Sequence, residues 1–296
     1  MKAGRARILV TGAGGLIGRR VLRCLIAEGR DEILPADGPA ADRRVLELED
    51  PAELERGLRD LRPDLVVHAA AITSIAGCEA EPERAHTVNV LATEIIARRL
   101  AAAGGRLIFF STDQVLDGRS GPYADDAPPR PLHAYGRGKA EAERRIQALL
   151  PDHVILRPSL VFGPSPGGRR SAHEAILLAA REGRRLGLFT DEFRRPIEVD
   201  QVAKTVCLLV RSSFRGRLNV AGSERLSRFD FGRRVCRAFG IDPQCIEARS
   251  AAAMNMHPER PLDLDLDTRK LVELHGVPLE GLDDRLERLA GGQGTE

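Results

Sequence analysis

Short apolar runs alternate along the chain with stretches in which apolar residues recur every three or four positions. The short runs predict buried strands, and the stretches of longer period predict helices. We expect strands at 6–11, 32–36, 65–70, 106–111 and 153–157, and helices at 16–28, 51–60, 81–103 and 137–150. Because strands and helices alternate, the predicted fold class is α/β, with a doubly wound parallel sheet covered by helices on both faces.

The first strand runs directly into three glycines spaced three apart, Gly12, Gly15 and Gly18, and a helical pattern then continues to residue 28. Glycine allows a tight turn and lets backbone N–H groups approach a phosphate, and a helix N-terminus adds partial positive charge. The order strand, glycine turn, helix therefore predicts a Rossmann-type site for a dinucleotide pyrophosphate. The alternative is a tight turn that binds nothing.

The character of the sequence changes after residue 157, where RPSLVFGPSPGGRRS is rich in proline, glycine and serine and predicts a loop. Later patterns predict helices near 172–183, 199–211 and 227–239 and extended pieces at 186–189 and 217–220. We expect a Rossmann domain at 1–157 and a smaller α/β domain at 158–290, with the helix near 199–211 packed back on the first domain. Residues 291–296 predict a disordered tail.

Charge and hydropathy narrow the class of protein. The 296 residues carry 45 Lys and Arg against 43 Asp and Glu, a net charge of +2. The charges are spread along the chain, so no nucleic-acid partner or membrane surface is expected. No apolar stretch approaches the roughly 18 residues of a membrane span, and the N-terminus lacks the apolar region of a signal peptide. We therefore expect a cytoplasmic protein.

The five cysteines form no C-x-x-C pair, and three of them lie in apolar helical patterns. They are Cys24, Cys78, Cys207, Cys236 and Cys245. This usage predicts buried free thiols in a reducing compartment. The seven histidines show no metal-ligand spacing, so no metal site is expected.

Tyr135 and Lys139 stand four residues apart in YGRGK, a spacing that places both on one face of a helix. We expect the ammonium group to lower the pKa of the phenol from about 10 toward neutrality, which would make it a usable general acid. Thr112, at the end of a predicted central strand, is placed to donate its hydroxyl to a carbonyl oxygen beside Tyr135. The alternative is an ordinary pair of surface residues one turn apart.

Seven motifs between residue 8 and about residue 271 carry a family resemblance: VTGAGGLIG, VVHAAAIT, NVLAT, STDQVLDG, YGRGKAEAE, LRPSLVFGP and ERPLDLDLDTRKL. Together they resemble the extended short-chain dehydrogenase/reductases that act on sugar nucleotides, and most closely the dTDP-4-dehydrorhamnose reductase family. The resemblance implies an NAD(P)-dependent oxidoreductase whose smaller C-terminal domain binds the substrate, a nucleotide sugar. A homodimer is compatible with it.

The resemblance also implies roles for individual residues. Thr112, Tyr135 and Lys139 would form the catalytic triad, with Tyr135 as the proton donor. The cofactor would contact Gly12, Gly14, Gly15, Leu16, Ile17, Gly18, Asp37, Glu47, Leu48, Ala69, Ala70, Ala71, Asn89, Ser111, Tyr135, Lys139 and Pro158. The substrate would contact Asp113, Gln114, Arg194 and Arg260, the two arginines by binding a diphosphate. The alternative for both arginines is an ordinary solvated side chain.

Two positions depart from the family pattern. Gln114 stands where reductases of the family carry an aromatic residue, and Leu160 stands where they carry a tryptophan. Both positions face the sugar in the family, so the identity of the sugar and of its nucleotide stays open.

The cofactor is expected to be NAD(P)H. Asp37 follows the second strand near the spacing at which a carboxylate binds the ribose 2′-hydroxyl, and this favours NADH. Arg43 and Arg44 could instead accept the 2′-phosphate of NADPH, with help from Arg19 or Arg20. A turn role for Asp37 in ADGP is the other alternative.

The predicted reaction is reduction of a nucleotide-linked 4-keto-6-deoxy sugar. A sugar-nucleotide 4-epimerase of the same superfamily and a non-catalytic NADP-binding regulatory subunit are the alternatives. A 4,6-dehydratase is disfavoured, because dehydratases carry a glutamate base where this chain has Gln114. The intact set of Thr112, Tyr135 and Lys139 argues against a subunit without turnover.

Overall fold

The computed structural model describes residues 5–37, 44–254 and 258–292. Its strands are β1 (Arg7–Thr11), β2 (Glu32–Asp37), β3 (Arg44–Val45), β4 (Leu65–His68), β5 (Arg106–Phe110), β6 (His153–Pro158), β7 (Val161–Phe162), β8 (Leu186–Phe189), β9 (Phe193–Arg194), β10 (Ile197–Glu198), β11 (Gly216–Val220), β12 (Leu226–Ser227) and β13 (Ile246–Arg249). Its α-helices are α1 (Leu16–Glu28), α2 (Pro51–Leu61), α3 (Ile75–Ala80), α4 (Pro82–His86), α5 (Ala92–Ala103), α6 (Ala134–Leu149), α7 (Ala172–Arg181), α8 (Val199–Arg211), α9 (Arg228–Ala238), α10 (Arg269–His275) and α11 (Leu282–Ala290).

Seven parallel strands form the main sheet in the order β11–β6–β5–β4–β1–β2–β3. The strand order reverses between β1 and β4, since the chain builds outward from β1 on one side and from β4 on the other. Ligands of such sheets bind beyond the carboxyl ends of the strands at this reversal. The predicted α/β fold with a doubly wound parallel sheet is confirmed.

Alternate side chains of each strand enter two separate cores. On β1, Ile8 and Val10 pack toward α1 and α8, whereas Leu9 packs toward α2 and α5. All three are fully buried, which explains why the strand is a continuous apolar run rather than an alternating one. Both faces of the sheet are therefore covered by helices.

The chain beyond residue 158 contributes elements both to the main sheet with its helices and to a second, smaller core. β11 joins the main sheet beside β6, and α8 packs against α1. A separate core, with Phe162, Phe231 and Leu286 among its buried side chains, holds α7, α9 and α11 together. The boundary at 157 therefore does not separate two unbroken stretches of chain.

The helix predicted at 81–103 forms as one helical run from Pro82 to Ala103, in which the π-helical turn Thr87–Leu91 joins α4 to α5. α3 was missed before it, although Ser74 caps it by accepting from the Gly77 N–H. The tail predicted at 291–296 lies outside the described residues after Gly292. None of the described helices has an apolar stretch long enough to cross a membrane.

The expectation of five free thiols is wrong for one pair. Cys24 on α1 and Cys207 on α8 are joined as a disulfide, with their Cα atoms 6.8 Å apart. The two residues are 183 positions apart in the chain, so only the packing of α1 on α8 brings them together. Cys78, Cys236 and Cys245 are free thiols.

Candidate active site

The glycine turn after β1 is built for close approach of backbone. Gly12 has a φ of +67°, and a Cβ added to it would lie 2.8 Å from the Ala70 nitrogen in the loop after β4. The Gly15 N–H donates to the Gly12 carbonyl at 2.9 Å. No side chain caps the first turn of α1, which begins at Leu16. Its free N–H groups are therefore available to an anion, as a pyrophosphate site requires.

A cavity of about 560 Å³, which we call the nucleotide cavity, lies over this turn. Nine of the predicted cofactor residues line it: Gly12, Gly14, Gly15, Asp37, Glu47, Leu48, Ala69, Ala70 and Ala71. The Asp37 carboxylate sits against Gly14, since a Cβ added to Gly14 would lie 3.2 Å from the Asp37 Cγ. Arg170 reaches the same cavity from the loop before α7.

Three predicted cofactor residues lie outside both cavities of the site. Leu16 lines neither. Gly18 packs α1 onto β1, because an added Cβ would collide with the Gly12 carbonyl oxygen. Asn89 is 1% exposed and pairs with the backbone of Ile72, accepting from its N–H and donating to its carbonyl at 2.9 Å each. Asn89 thus holds the loop after β4. Arg43 and the Arg44 side chain lie outside the described residues.

A second cavity of about 290 Å³, the reaction cavity, adjoins the first and shares Ala69 and Ala71 with it. It lies beyond the carboxyl ends of β4, β5 and β6, as the fold predicts. The predicted residues that line it are Ile17, Ser111, Thr112, Asp113, Gln114, Tyr135, Lys139, Pro158, Arg194 and Arg260. Leu160, where the family pattern has tryptophan, lines it as well.

Thr112 and Tyr135 come together through the packing of α6 on the chain after β5. Gly136 makes this possible, because a Cβ there would collide with the Gln114 carbonyl. His133 caps α6 by accepting from the Gly136 N–H at 3.1 Å, and its ring is stacked with that of Tyr135. Thr112 is near enough to Tyr135 to act on the pKa of its phenol, and both side chains line the reaction cavity. A carbonyl oxygen placed between these two hydroxyls can therefore accept from both.

The predicted effect of Lys139 on Tyr135 is wrong in direction. Burial raises the pKa of Tyr135 well above 10, and the nearby charge of Asp113 raises it further against the hydrogen bond from Thr112. Burial also lowers the pKa of Lys139 to about 7, and its Nζ lies 4.3 Å from the centre of the Phe109 ring. Desolvation is the largest cause of both shifts. Tyr135 is therefore a protonated phenol at neutral pH.

A hydrogen-bonded ion pair lies next to Ser111 and Lys139. Glu143 stands one turn after Lys139 on α6 and accepts from Arg157 at 2.7 and 3.0 Å and from the Ser111 hydroxyl at 2.6 Å. Glu143 and Arg157 are at most 1% exposed. Because Ser111 is held in this network, it anchors the end of β5 next to Thr112.

Arg194 enters the reaction cavity with most of its donors already engaged. Its guanidinium donates to the carbonyls of Phe193, Leu262 and Pro261 at 2.6, 3.2 and 2.9 Å. The remaining N–H groups face Glu192 at 3.3 Å and Asp113 at 3.8 Å. Of the five N–H groups of a guanidinium, three donate to carbonyls and one faces Glu192, whereas Nε has no acceptor within hydrogen-bond distance. The diphosphate role of Arg194 therefore stays a prediction.

The family model described as the RmlD substrate binding domain matches residues 6–291. The chain belongs to this family. It is 33% identical over 259 residues to dTDP-4-dehydrorhamnose reductase of Mycobacterium tuberculosis, covering 84% of this chain and 81% of that protein. It is 30% identical over 287 residues to the probable low-salt glycan biosynthesis reductase Agl14 of Haloferax volcanii, covering 95% and 96%.

One solved structure with the same fold is dTDP-4-dehydrorhamnose reductase of Bacillus anthracis in complex with NADP. It superposes with a TM-score of 0.85 at 21% identity, covering 96% of this chain and 98% of that one. The family membership predicted from the motifs is confirmed, and it places the chain among the NAD(P)-dependent oxidoreductases of the short-chain dehydrogenase/reductase type.

Sequence reasoning missed several polar residues of this RmlD-family site, among them Glu192, Arg228 and Arg170. Glu192 and Arg228 line the reaction cavity, and Arg170 lines the nucleotide cavity. Glu192 and Arg170 lie beside short elements without periodicity, Arg228 is the first residue of α9, and all three come from the chain beyond residue 158. The available signals were weak ones: Glu192 precedes Arg194 in DEFRRP, and Arg228 follows Ser227, which caps α9.

Proposed function

We propose that this protein reduces the ketone of a nucleotide-linked 4-keto-6-deoxy sugar with NAD(P)H, in the manner of a dTDP-4-dehydrorhamnose reductase. The observation that carries the proposal is that Thr112, Tyr135 and Lys139 line one cavity, which adjoins the cavity over the glycine turn. A carbonyl held there would lie next to the nicotinamide end of a dinucleotide whose pyrophosphate rests on α1.

The residues of the nucleotide cavity fit a dinucleotide. The Gly12 turn has no Cβ to block a phosphate, and α1 presents uncapped N–H groups. Asp37 supports NADH over NADPH, because a carboxylate at the end of β2 accepts from ribose hydroxyls and repels a 2′-phosphate. Arg170 supplies a cation to the same cavity.

The catalytic step follows from the two hydroxyls. A bound reduced nicotinamide supplies the hydride that the carbonyl carbon accepts. Thr112 donates a hydrogen bond to the carbonyl oxygen, and Tyr135 transfers its proton to that oxygen, so the product is an alcohol and Tyr135 is left as a phenolate. The raised pKa of Tyr135 keeps the proton in place until the oxygen becomes negative. Lys139, whose pKa burial lowers to about 7, exchanges the proton that restores the phenol.

Arg228 and Arg260 are the better candidates for the diphosphate of the substrate. Both line the reaction cavity, and within the described parts of the chain neither guanidinium makes a hydrogen bond. Arg228 opens α9, and burial lowers its pKa, with Glu192 opposing this effect. A pair of guanidinium groups with free donors suits a diphosphate.

The test is an absorbance assay at 340 nm with NADH or NADPH and a dTDP-4-keto-6-deoxyhexose. The wild-type protein should consume the cofactor, and Tyr135→Phe should lose at least about 100-fold in kcat, since it lacks the transferable proton. Tyr123→Phe is the matched control, because the Tyr123 hydroxyl bonds to Asp117 outside the cavity. Product without cofactor oxidation would indicate the epimerase instead, and binding without turnover would indicate the regulatory subunit.

A further inference from the structure

The thiols of Cys236 and Cys245 face each other in the smaller core. Their Sγ atoms lie 3.8 Å apart, and one thiol donates a weak hydrogen bond to the other. Cys236 lies near the end of α9, and Cys245 ends the short 3₁₀ turn Pro243–Cys245 that precedes β13. Because a disulfide has an S–S distance of about 2.0 Å, the two sulfurs need to approach by about 1.8 Å to bond.

The two thiols differ in their access to solvent. Cys236 is 1% exposed, whereas Cys245 is half-buried. A reagent in solution therefore reaches Cys245 first, and Cys236 stands behind it. This arrangement suits an attacking and a resolving cysteine, since the exposed sulfur reacts with the reagent and the buried one then displaces it.

The structure around the two residues allows the sulfurs to approach. Cys236 is fixed on α9, which packs against α7 and α11. The three residues before Cys245 are exposed, so the turn can shift toward α9 without displacing a packed side chain. The movement that forms the bond is therefore made by Cys245.

A cavity of about 440 Å³, which we call the arginine cavity, lies beside Cys236. The charged residues that line it are Arg233, Arg234, Arg237 and Asp230. The Asp230 carboxylate already accepts from the Ser227 hydroxyl at 2.7 Å. The cavity has the size of a small-molecule site, and its three guanidinium groups against one carboxylate favour an anionic ligand.

Arg233 is the guanidinium that such a ligand can use. Arg234 pairs with Glu224 at 2.8 Å, and Arg237 pairs with Asp283 at 2.6 Å. Within the residues that the structure describes, Arg233 makes no hydrogen bond or ion pair, and it is exposed. Its donors are therefore available at the mouth of a cavity that Cys236 lines.

We propose that Cys236 and Cys245 form a reversible disulfide by exchange with an anionic small-molecule disulfide, which Arg233 attracts to the arginine cavity. The Cys245 thiolate attacks one sulfur of the reagent and releases the other as a thiolate. Cys236 loses its proton to water and attacks Cys245 Sγ, which releases the second thiolate. The two cysteines are oxidised by two electrons, and the reagent is reduced to two thiols. This site is independent of the proposed reductase function.

The order of the two steps agrees with the environment of Cys236. Burial raises the pKa of Cys236 to about 12, and the hydrogen bond and the charge of Cys245 contribute to the rise. A mixed disulfide at Cys245 has neither a thiol proton nor a thiolate charge, so it removes both contributions. Cys236 therefore becomes more reactive once Cys245 has reacted.

The experiment uses glutathione disulfide as the probe. The full chain is reduced, freed of reductant, incubated with the probe, alkylated and digested with trypsin, and the peptides are analysed by mass spectrometry. Trypsin cleaves after Arg237, between the two cysteines, so their disulfide appears as two joined peptides, distinct from those that contain Cys24 and Cys207. The wild-type protein should form this link, and dithiothreitol should restore both thiols.

Three variants test the roles of the cysteines. Cys236→Ser should accumulate a glutathione adduct on Cys245, because the resolving thiol is gone. Cys245→Ser should leave Cys236 at least about 10-fold slower to react than Cys245 is in the wild type, since Cys236 is buried. Cys78→Ser is the matched control, because Cys78 is another buried free thiol, and it should form the link at the wild-type rate.

Arg233→Ala tests the choice of reagent. It should slow the reaction with glutathione disulfide about 5-fold and leave the reaction with the neutral hydroxyethyl disulfide unchanged, because only the anionic reagent is attracted by the lost cation. Arg23→Ala, at an exposed position of α1, should change neither rate. An equal loss with both reagents, or none with glutathione disulfide, would overturn the role of Arg233.

The pairing of the two cysteines is refuted by either of two results. One is a wild-type protein that carries glutathione on Cys245 without forming the link, or that does not react at all. The other is a link that forms faster in urea than in the folded protein, because the reaction then needs no approach prepared by the fold.

Discussion

Replacing Asp113 with asparagine should make the folded protein more stable at neutral pH. Burial raises the pKa of Asp113 from its ordinary value of 3.8 to about 6, although the charge of Arg194 lowers it. The folded protein therefore holds this proton more tightly than the unfolded chain does. Because the folded state binds more protons between pH 3.8 and 6, its free energy of unfolding falls as the pH rises through this window.

The size of the effect follows from the same values. A pKa difference between 3.8 and about 6 corresponds to about 3 kcal/mol of free energy of unfolding, which is lost in full above pH 6. Asparagine cannot ionise, and its amide oxygen still accepts from Thr112. We therefore expect Asp113→Asn to be about 3 kcal/mol more stable than wild type at pH 7.5 and to lose most of this advantage near pH 4.

Urea unfolding of both proteins at a series of pH values between 4 and 7.5 measures this difference. Asp191→Asn is the contrasting variant: burial raises the pKa of Asp191, but hydrogen bonds from Ser250, Ala251 and Ala252 outweigh it and hold the pKa below its usual value. That variant should be less stable than wild type at pH values where the Asp191 carboxyl of the wild type is ionised. An Asp113→Asn advantage that stays constant across the series, or that grows toward pH 4, would refute the reasoning.

Two further predictions concern the nucleotide cavity and are measured as cofactor affinity by fluorescence titration. Asp37→Asn should bind NADPH about 10-fold more tightly than wild type and NADH less tightly, because it removes a carboxylate that repels the 2′-phosphate; an unchanged NADPH affinity would contradict this. Arg170→Ala should weaken the binding of both cofactors about 10-fold, because the Arg170 cation lines the cavity. Arg169→Ala is the control, because Arg169 does not line the cavity. Equal losses of affinity in the two variants would count against a role for Arg170.

The part of the site that the sequence predicts is the part built by local pattern. Gly12, Thr112 and Tyr135 each follow a buried strand or open a long helix, and parallel strands bring their carboxyl ends to one edge of the sheet. Their meeting in adjoining cavities therefore needs little beyond the order of the elements. The same logic predicts Asp37 at the end of β2.

The rest of the site depends on contacts between segments that show no periodic pattern in the sequence. Glu192 precedes and Arg194 ends the two-residue strand β9, which pairs with another two-residue strand, Leu226–Ser227. The direction of the Arg194 guanidinium depends on the carbonyls of Pro261 and Leu262, which lie almost 70 residues later in the chain. The predicted effect of Lys139 on the pKa of Tyr135 was wrong for a different reason. The four-residue spacing gives the distance along the helix, but it does not show the loss of water that dominates the pKa values of both residues.

The contrast between two deeply buried charge clusters shows what the reaction cavity is organised for. Glu143 and Arg157 are as inaccessible as any charged pair in the described chain, yet Ser111 and the carbonyl of Ala127 complete their hydrogen bonds. Buried atoms without a partner do occur elsewhere in the described chain, for example Asn219 Oδ1 and Arg285 Nε. Among the unpaired atoms of the described residues, however, the carboxylate oxygens are those of Asp113 and Glu192, and both residues line the cavity that Thr112 and Tyr135 line. A buried carboxylate oxygen without a donor is costly, so the place where these two oxygens occur favours a role in binding a ligand over a role in stabilising the fold.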